Sequence, residues 1–383
     1  MHKQPQLRKR HVFYVMGFDP RGTAYYHAQL RREAQISARR GFSHFKVGKL
    51  ESNWQHGEQC HCELSQDSSL EGLQVELLSI TDIVRNYFNQ SIVRRLINGL
   101  SLLWIMLSSG FIVKAMRKTP HFVLFTLYPF FLLLLSLLIA VGSGIGVAIF
   151  LDHEYAPMGG VLAALALLGI ITALLIRLES RLYTFYLLGD FVFSHSAITG
   201  HLYTLEQRMV DFAKRVAHVL NESGEDEEIV LVGHSSGALL AIRLAAAVLH
   251  QSTSNQARRL SLLTLGNQAA ITHLPRTANF LRDMTVLAAT PGFVWRDIFA
   301  PQDVISSGRF DPLKELNIPT PAPSSLSLHS ARFKEALTES TYQRIRYNFF
   351  RLHMQYLKAS ETGKGFNYFK TLESPDWLSK LKI

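Results

Sequence analysis

The strongest feature of the hydrophobic pattern is a long apolar region in the middle of the chain. No Lys or Arg occurs between Lys118 and Arg177, and nearly all of the intervening residues are apolar. A short polar turn at residues 151–157 divides this region into two stretches, residues 122–150 and 159–178, each long enough to cross a bilayer as a helix. Because every backbone amide inside a bilayer needs a partner within its own segment, the pattern predicts a transmembrane helical hairpin.

Glycines in the hairpin offer a contact surface between the two predicted helices. Gly142, Gly144 and Gly146 lie in the first helix, and Gly169 lies in the second. Small residues allow two helix backbones to approach closely in a membrane. Ordinary helix composition explains these glycines equally well, so both interpretations stay open.

Charges at the borders of the apolar region predict its orientation. Basic residues flank the region on both sides, whereas the turn between the helices carries only Asp152, His153 and Glu154. Cytoplasmic segments next to a membrane are enriched in Lys and Arg. We therefore predict an integral protein of a cell inner membrane or plasma membrane, with both termini and both long arms cytoplasmic.

A third apolar stretch, residues 96–113, precedes the hairpin and is interrupted by Asn, Gly and Ser residues. We interpret it as a segment that lies in the membrane interface. The competing interpretation is a third span, which would place residues 1–90 and 180–383 on opposite sides of the membrane.

Outside residues 91–204 the pattern becomes that of an α/β protein. Short apolar runs rich in β-branched residues alternate with helical stretches, which predicts a mostly parallel sheet with helices on both faces. Residues 1–90 and 205–383 are accordingly the two parts of one domain, which the membrane insert 91–204 interrupts. Residues 205–220 have apolar side chains at helical spacing, which predicts a packed helix directly before the candidate strand at residues 229–232. The candidate strands are residues 11–16, 73–80, 229–232, 260–265, 284–289 and 325–328.

The charge of the chain indicates which class of partner it binds. The chain has 40 Lys and Arg against 30 Asp and Glu, a net charge of +10 at pH 7. These charges crowd the borders of the apolar region and form no recognisable nucleic-acid motif, so the expected partner is a lipid bilayer and no nucleic acid. The two cysteines, Cys60 and Cys62, lie in a polar stretch that we interpret as a solvated loop, without a disulfide framework or a metal site.

Residues 233–237 carry the candidate chemistry and have the sequence Gly-His-Ser-Ser-Gly. A buried-strand pattern precedes them and a strong helix-forming sequence follows, which is the context of a nucleophile elbow around Ser235. The glycines on either side remove side chains that would collide with the neighbouring strand and helix. The alternative is a tight strand-to-helix turn without chemistry.

In this motif and its context the chain resembles the α/β-hydrolase fold, in which lipases and esterases carry such an elbow. The resemblance implies that Ser235 is the nucleophile and that the amide of Ser236 is one oxyanion donor. The fold usually supplies a second donor from a loop after an earlier strand, and the counterpart here is residues 15–22. The amide of Phe18 is the candidate donor, although this loop is equally well explained as a plain turn.

The resemblance also implies an acid and a histidine after the nucleophile in the chain. Asp303 is the preferred acid because it lies in a segment that resembles the loop after a late strand, and Asp297 and Asp311 are the alternatives. For the base, His353 lies in an apolar, aromatic segment and His329 directly follows a candidate strand. We favour His353 and leave His329 open.

These features predict a membrane-anchored serine hydrolase that cleaves an ester or thioester of a lipid-like substrate through an acyl-enzyme, with no metal or organic cofactor. Because Phe18 and Ser235 must share one compartment, the number of spans must be even. A catalytically inactive membrane scaffold with the same fold is the main alternative. A channel component is disfavoured because the spans carry no Lys or Arg, and the sequence leaves the oligomeric state open.

Overall fold

The computed structural model of the chain describes residues 8–151, 156–275, 277–321 and 324–374. These residues contain one sheet and many helices. The strands are β1 (Lys9–Val15), β2 (Phe45–Val47), β3 (Glu51–Trp54), β4 (Gly57–Leu64), β5 (Gly72–Leu78), β6 (Glu227–His234), β7 (Leu260–Leu265), β8 (Val294–Phe299) and β9 (Leu326–Ser330).

The helices surround the sheet and form the insert at residues 91–204. They are α1 (Thr23–Arg39), α2 (Thr81–Phe88), α3 (Ile92–Ser108), α4 (Phe111–Met116), α5 (Pro120–Leu151), α6 (Ala156–Arg177), α7 (Glu179–Leu182), α8 (Thr184–Thr199), α9 (Tyr203–Glu222), α10 (Ser236–Leu249), α11 (Ser254–Arg259), α12 (Ala278–Ala289), α13 (Pro312–Glu315), α14 (Phe333–Ala336), α15 (Glu339–Ile345), α16 (Phe349–His353) and α17 (Tyr368–Glu373). Two described 3₁₀ helices lie at Ala269–His273, after β7, and at Met354–Leu357, after α16.

The sheet is mixed, with the strand order β2-β4-β5-β1-β6-β7-β8-β9 and with β3 paired to β4. In this order β5, β1, β6, β7, β8 and β9 pair in parallel with their neighbours. Strands β2, β3 and β4 add an antiparallel edge next to β5. Strands β1 and β6 lie in the centre and are buried on both faces, which explains the unbroken apolar runs at residues 12–15 and 229–232. The chain therefore has an α/β fold, as the alternation of strands and helices predicted.

Alternate residues of the central strands point into two cores, one on each face of the sheet. Phe13 and Leu231 contribute to a core that includes α8, α9, α10 and α12. Val12 and Val230 contribute to the opposite core, which includes α1 and the C-terminal helices. This period of two follows from strand geometry, and it encloses the sheet between two helical layers.

Three predictions about the sheet are wrong. Residues 284–289 belong to helix α12, whose buried Phe280, Met284 and Leu287 follow helical spacing rather than alternation. The strand that pairs with β7 is β8, although residues 295–305 resemble in sequence the loop after a late strand. The segment with Cys60 and Cys62 is strand β4, and both thiols are free and buried. Burial raises the pKa of Cys60 to about 12, because the strand turns both cysteines towards the helical layer. The remaining candidate strands are present, with shifted ends.

The insert contains two described helices, α5 and α6, that are long and apolar enough to cross a membrane. With 32 residues, α5 is about 48 Å long and exceeds the hydrocarbon thickness of a bilayer. Its first part packs on the rest of the protein, where Phe122 and Phe125 contact Phe191 of α8. Residues 152–155 of the turn predicted at residues 151–157 lie outside the described residues.

The predicted interfacial segment forms helix α3 and the short helix α4. Helix α3 begins at Ile92, where the Ser91 hydroxyl accepts a hydrogen bond from the Arg94 amide at 3.3 Å. Its inner face packs on α8, with Gly99 against Leu188. Its outer face is an exposed apolar stripe at helical spacing: Val93, Ile97, Leu100, Trp104 and Leu107. Helices α2 and α3 meet at an angle of 104°. They would add a third membrane crossing only if the two helices together formed one broken span.

Gly144 and Gly160 bring the backbones of α5 and α6 together. A Cβ atom on Gly144 would lie 2.5 Å from the carbonyl oxygen of Gly160, and one on Gly160 would lie 2.6 Å from that of Gly144. Nothing lies within 4 Å of a Cβ on Gly142, Gly146 or Gly169. The close helix contact therefore involves Gly144, and its partner is Gly160 rather than Gly169.

We expect Gly144→Val to destabilise the hairpin by about 1–3 kcal/mol, because the added side chain forces the two backbones apart. The thermal unfolding midpoint in detergent measures this loss. Gly142→Val on the same helix is the matched control, since its side chain meets open space. Equal midpoints for the two variants would contradict the packing described here.

Candidate active site

Ser235 occupies a sharp turn between a strand and a helix. Strand β6 ends at His234 and α10 begins at Ser236, which leaves Ser235 between them with φ 58° and ψ −129°. Few non-glycine residues adopt a positive φ, and such strain persists only when the surroundings hold it. Here the amide of Ser235 donates a hydrogen bond to the carbonyl of Leu265 at 3.0 Å, which ties the turn to β7.

Three glycines permit this turn because they leave room for backbone. A Cβ atom on Gly233 would lie 2.5 Å from the carbonyl oxygen of Gly237, and a Cβ on Gly237 would lie 2.5 Å from that of Val15. A Cβ on Gly17 would lie 2.7 Å from the amide of Gly237. The loop after β1 therefore touches the start of α10 directly, and it brings Phe18 beside Ser235.

A buried acid and histidine meet in the same region. The Nδ1 atom of His353 lies 2.7 Å from Oδ2 of Asp303, and both side chains are almost fully enclosed. The amide of Ile305 donates to Oδ1 of Asp303 at 3.2 Å. These contacts fix the carboxylate in the loop after β8 and orient the imidazole at the end of α16.

A second histidine, His234, contacts the backbone of His353. Nε2 of His234 lies 3.0 Å from the carbonyl oxygen of His353, and the two rings lie 4.5 Å apart. Burial, and then the nearby His353, lower the pKa of His234 well below its usual value. His234 is therefore neutral at physiological pH, and its Nε2–H donates to the carbonyl of His353.

Ser235 and His353 line one cleft of about 320 Å³, together with Phe18, Asp190 and Ser236. Nε2 of His353 is buried and has no hydrogen-bond partner among the described residues. Oγ of Ser235 lies 3.5 Å from Nε2 of Gln268. The serine and the histidine thus share the cleft without a hydrogen bond between them, which is common before a substrate is bound.

The alternative residues lie in other environments. Nε2 of His329, on the edge strand β9, lies 3.2 Å from Oγ of Ser327. Asp297 is buried within β8 and accepts hydrogen bonds from Thr264 and Asn267. Asp311 caps α13 by accepting from the amides of Leu313 and Lys314. The structure pairs neither Asp297 nor Asp311 with a histidine side chain.

The amide of Phe18 is next to the cleft, but it already has a partner. It donates to Oγ of Ser236 at 3.0 Å, while the carbonyl of Phe18 accepts from the hydroxyl of Tyr186 at 2.7 Å. The amide of Ser236 lies at the positive end of α10, where developing negative charge is stabilised. Both expected donors are thus at the elbow, and the Ser236 hydroxyl must turn away before Phe18 can serve a substrate.

Sequence reasoning missed a second polar network beside Ser235. Nε2 of Gln268 donates to Oδ2 of Asp190 at 2.9 Å, and Oε1 of Gln268 accepts from Ser194 at 3.0 Å. Burial raises the pKa of Asp190, against the lowering effect of hydrogen bonds from Gln268 and Ser236. A lone aspartate within the apolar sequence of α8 was the signal that could have revealed it.

Comparison with known proteins finds one family. Residues 188–274 match the family model described as Lipase (class 3), a span that runs from α8 through the elbow to the 3₁₀ turn after β7. No curated protein and no solved structure matches the chain. The family match supports a lipase-like hydrolase with an α/β fold and suggests hydrolysis of lipid esters.

Asp297 provides a test of the electrostatics around β8. Burial raises its pKa to about 7, although hydrogen bonds from Thr264 and Asn267 oppose this. An unfolded aspartate ionises near pH 4, so folding takes up a proton between about pH 4 and 7, and stability falls as the pH rises through this window.

We expect the thermal unfolding midpoint of the wild type to fall more steeply between pH 5 and 7 than that of Asp297→Asn. The limiting contribution is about 1.4 kcal/mol per pH unit. The exposed Asp67→Asn variant is the control and keeps the wild-type slope. Parallel curves for wild type and Asp297→Asn would contradict the raised pKa.

Proposed function

We propose that the protein is a serine hydrolase that cleaves esters or thioesters of lipid-like substrates through an acyl-enzyme. Ser235 is the nucleophile, His353 is the general base and Asp303 orients the histidine. The observation that carries the proposal is the buried Asp303–His353 pair, which opens onto the same cleft as a strained elbow serine. The lipase match around the elbow supports the same reaction class.

Each residue has a role in the reaction. Oγ of Ser235 attacks the carbonyl carbon of the substrate and passes its proton to Nε2 of His353, and Asp303 stabilises the resulting imidazolium. The amides of Phe18 and Ser236 hold the developing oxyanion once the Ser236 hydroxyl has released Phe18. The proton on His353 then goes to the leaving alcohol or thiol. Water, deprotonated by His353, hydrolyses the acyl-enzyme and restores Ser235.

One observation favours the alternative of an inactive scaffold. The Phe18 amide is engaged by Ser236, and no hydrogen bond joins Ser235 to His353. An inactive member of the fold would keep this arrangement permanently, whereas an enzyme would change it when a substrate binds. Measurement of turnover separates the two.

The test is hydrolysis of a soluble p-nitrophenyl ester by the full-length protein in detergent. We expect Ser235→Ala and His353→Ala each to lower kcat by about a thousandfold or more, because each removes one member of a cooperating set. His329→Ala is the matched control and keeps activity within about twofold of wild type. Equal losses for His353→Ala and His329→Ala would contradict the assignment of the base.

We further propose that the insert anchors this hydrolase to a membrane, with the soluble domain and both termini in the cytoplasm. The apolar helices α5 and α6, their basic borders and the exposed stripe on α3 support this location. An even number of spans keeps Phe18 and Ser235, which touch the same cleft, on one side of the bilayer. Helix α3 then lies in the interface with Trp104 towards the lipid.

Two measurements test this arrangement. We expect reporter domains fused to the two termini to be active in the same compartment, and opposite compartments would indicate a third span. In vesicles that contain brominated lipid, we expect quenching of a fluorescence component that is absent in Trp104→Phe. Identical quenching of wild type and Trp104→Phe would show that the α3 stripe does not meet the bilayer.

A further inference from the structure

A second cavity lies beside the catalytic cleft. It has a volume of about 590 Å³ and is formed by the first part of α5, the junction of α7 and α8, and the segment that leads into α16. Its lining is mainly apolar and aromatic, as a site for an acyl chain requires. The lining residues used below are Leu124, Tyr128, Ser180, Tyr183, Phe349 and Phe350.

The two cavities share one wall. Tyr183, Leu187 and Phe350 line both the catalytic cleft and the second cavity. The rings of Tyr183 and Phe350 lie with their centroids 3.8 Å apart. The rings of Tyr183 and Phe350 therefore stand at the boundary between the second cavity and the cleft.

The backbone at this wall is also unusual. Tyr183 has φ 54°, which places it in the left-handed region between α7 and α8. The carboxylate of Glu179 accepts hydrogen bonds from the amides of Phe185 and Tyr186, at 3.1 and 2.7 Å. These contacts hold the start of α8 in place while the ring of Tyr183 stands at the boundary.

The second cavity is next to the predicted membrane surface. Its α5 residues, including Leu124 and Tyr128, lie within the first ten residues of a helix that exceeds the bilayer thickness. Leu124 is 59% exposed, and Phe125 packs on Phe349 at 6.0 Å. The cavity is thus placed where α5 leaves the soluble domain for the hydrocarbon.

We infer that the second cavity receives the acyl chain of a bilayer-resident lipid ester, which enters sideways between α5 and α16. The ester group then passes the Tyr183–Phe350 wall to reach Ser235, and the acyl chain stays in the second cavity. This inference rests on the proposed hydrolase function and specifies its substrate as a long-chain acyl lipid taken from the membrane. A short, water-soluble ester needs only the catalytic cleft.

The test compares two substrates with the full-length protein in phosphatidylcholine vesicles. One is dioleoylglycerol within the vesicle, and the other is p-nitrophenyl acetate in the water. We expect Leu124→Trp to lower the ratio of the dioleoylglycerol rate to the acetate rate by about tenfold or more, because the indole fills the chain site. Leu138→Trp is the matched control, an exposed leucine of α5 that lines neither cavity, and it keeps the wild-type ratio.

A second variant protects the test against misfolding. Ser180→Trp fills the same cavity from the side of α7 and is expected to lower the same ratio. The inference is overturned if wild type hydrolyses both substrates and neither variant changes the ratio more than Leu138→Trp does. If wild type hydrolyses neither substrate, the proposed function itself fails, which is a different result.

Discussion

The site depends on a close contact between backbones that only glycine permits. Gly17 and Gly237 let the loop after β1 touch the first turn of α10, and Gly233 lets that helix fold back over the end of β6. Any side chain at these positions would meet backbone atoms at less than 3 Å. The contact places the amide of Phe18, the amide of Ser236 and the hydroxyl of Ser235 at one edge of the sheet. The other polar groups of the cleft are arranged around this point.

Around the elbow, the polar groups form two separate networks. On one side Asp303 holds His353, and the neutral His234 supports the histidine backbone. On the other side Gln268 joins Asp190 and Ser194 and lies within 3.5 Å of Ser235. Buried polar groups are costly unless they are paired. Among the described residues, Nε2 of His353 is buried without a hydrogen-bond partner, and His353 lines the same cleft as Ser235. This nitrogen is therefore free to accept a proton.

The sequence alone was informative where structure is determined locally. The elbow, the central strands, the helix α9 and the two long apolar helices follow from short-range patterns that packing does not override. Residues 284–289 show the opposite case, because a short apolar run fits either a buried strand or the inner face of a helix. Strand β8 was missed because Arg296 and Asp297 interrupt its apolar pattern, and Asp297 is buried only through contacts with distant residues. The choice between His353 and His329 likewise depends on where α16 packs, because a local sequence pattern does not predict contacts between distant segments.

The central claim is that Ser235 is a nucleophile activated by its surroundings. The most direct measurement is the site of covalent modification after full-length protein in vesicles has reacted with a fluorophosphonate, located by mass spectrometry of its peptides. The account predicts a single adduct on Ser235, formed in wild type and lost when the protein is denatured before reaction. No adduct on well-folded protein, or an adduct on another serine with Ser235 unmodified, would contradict it.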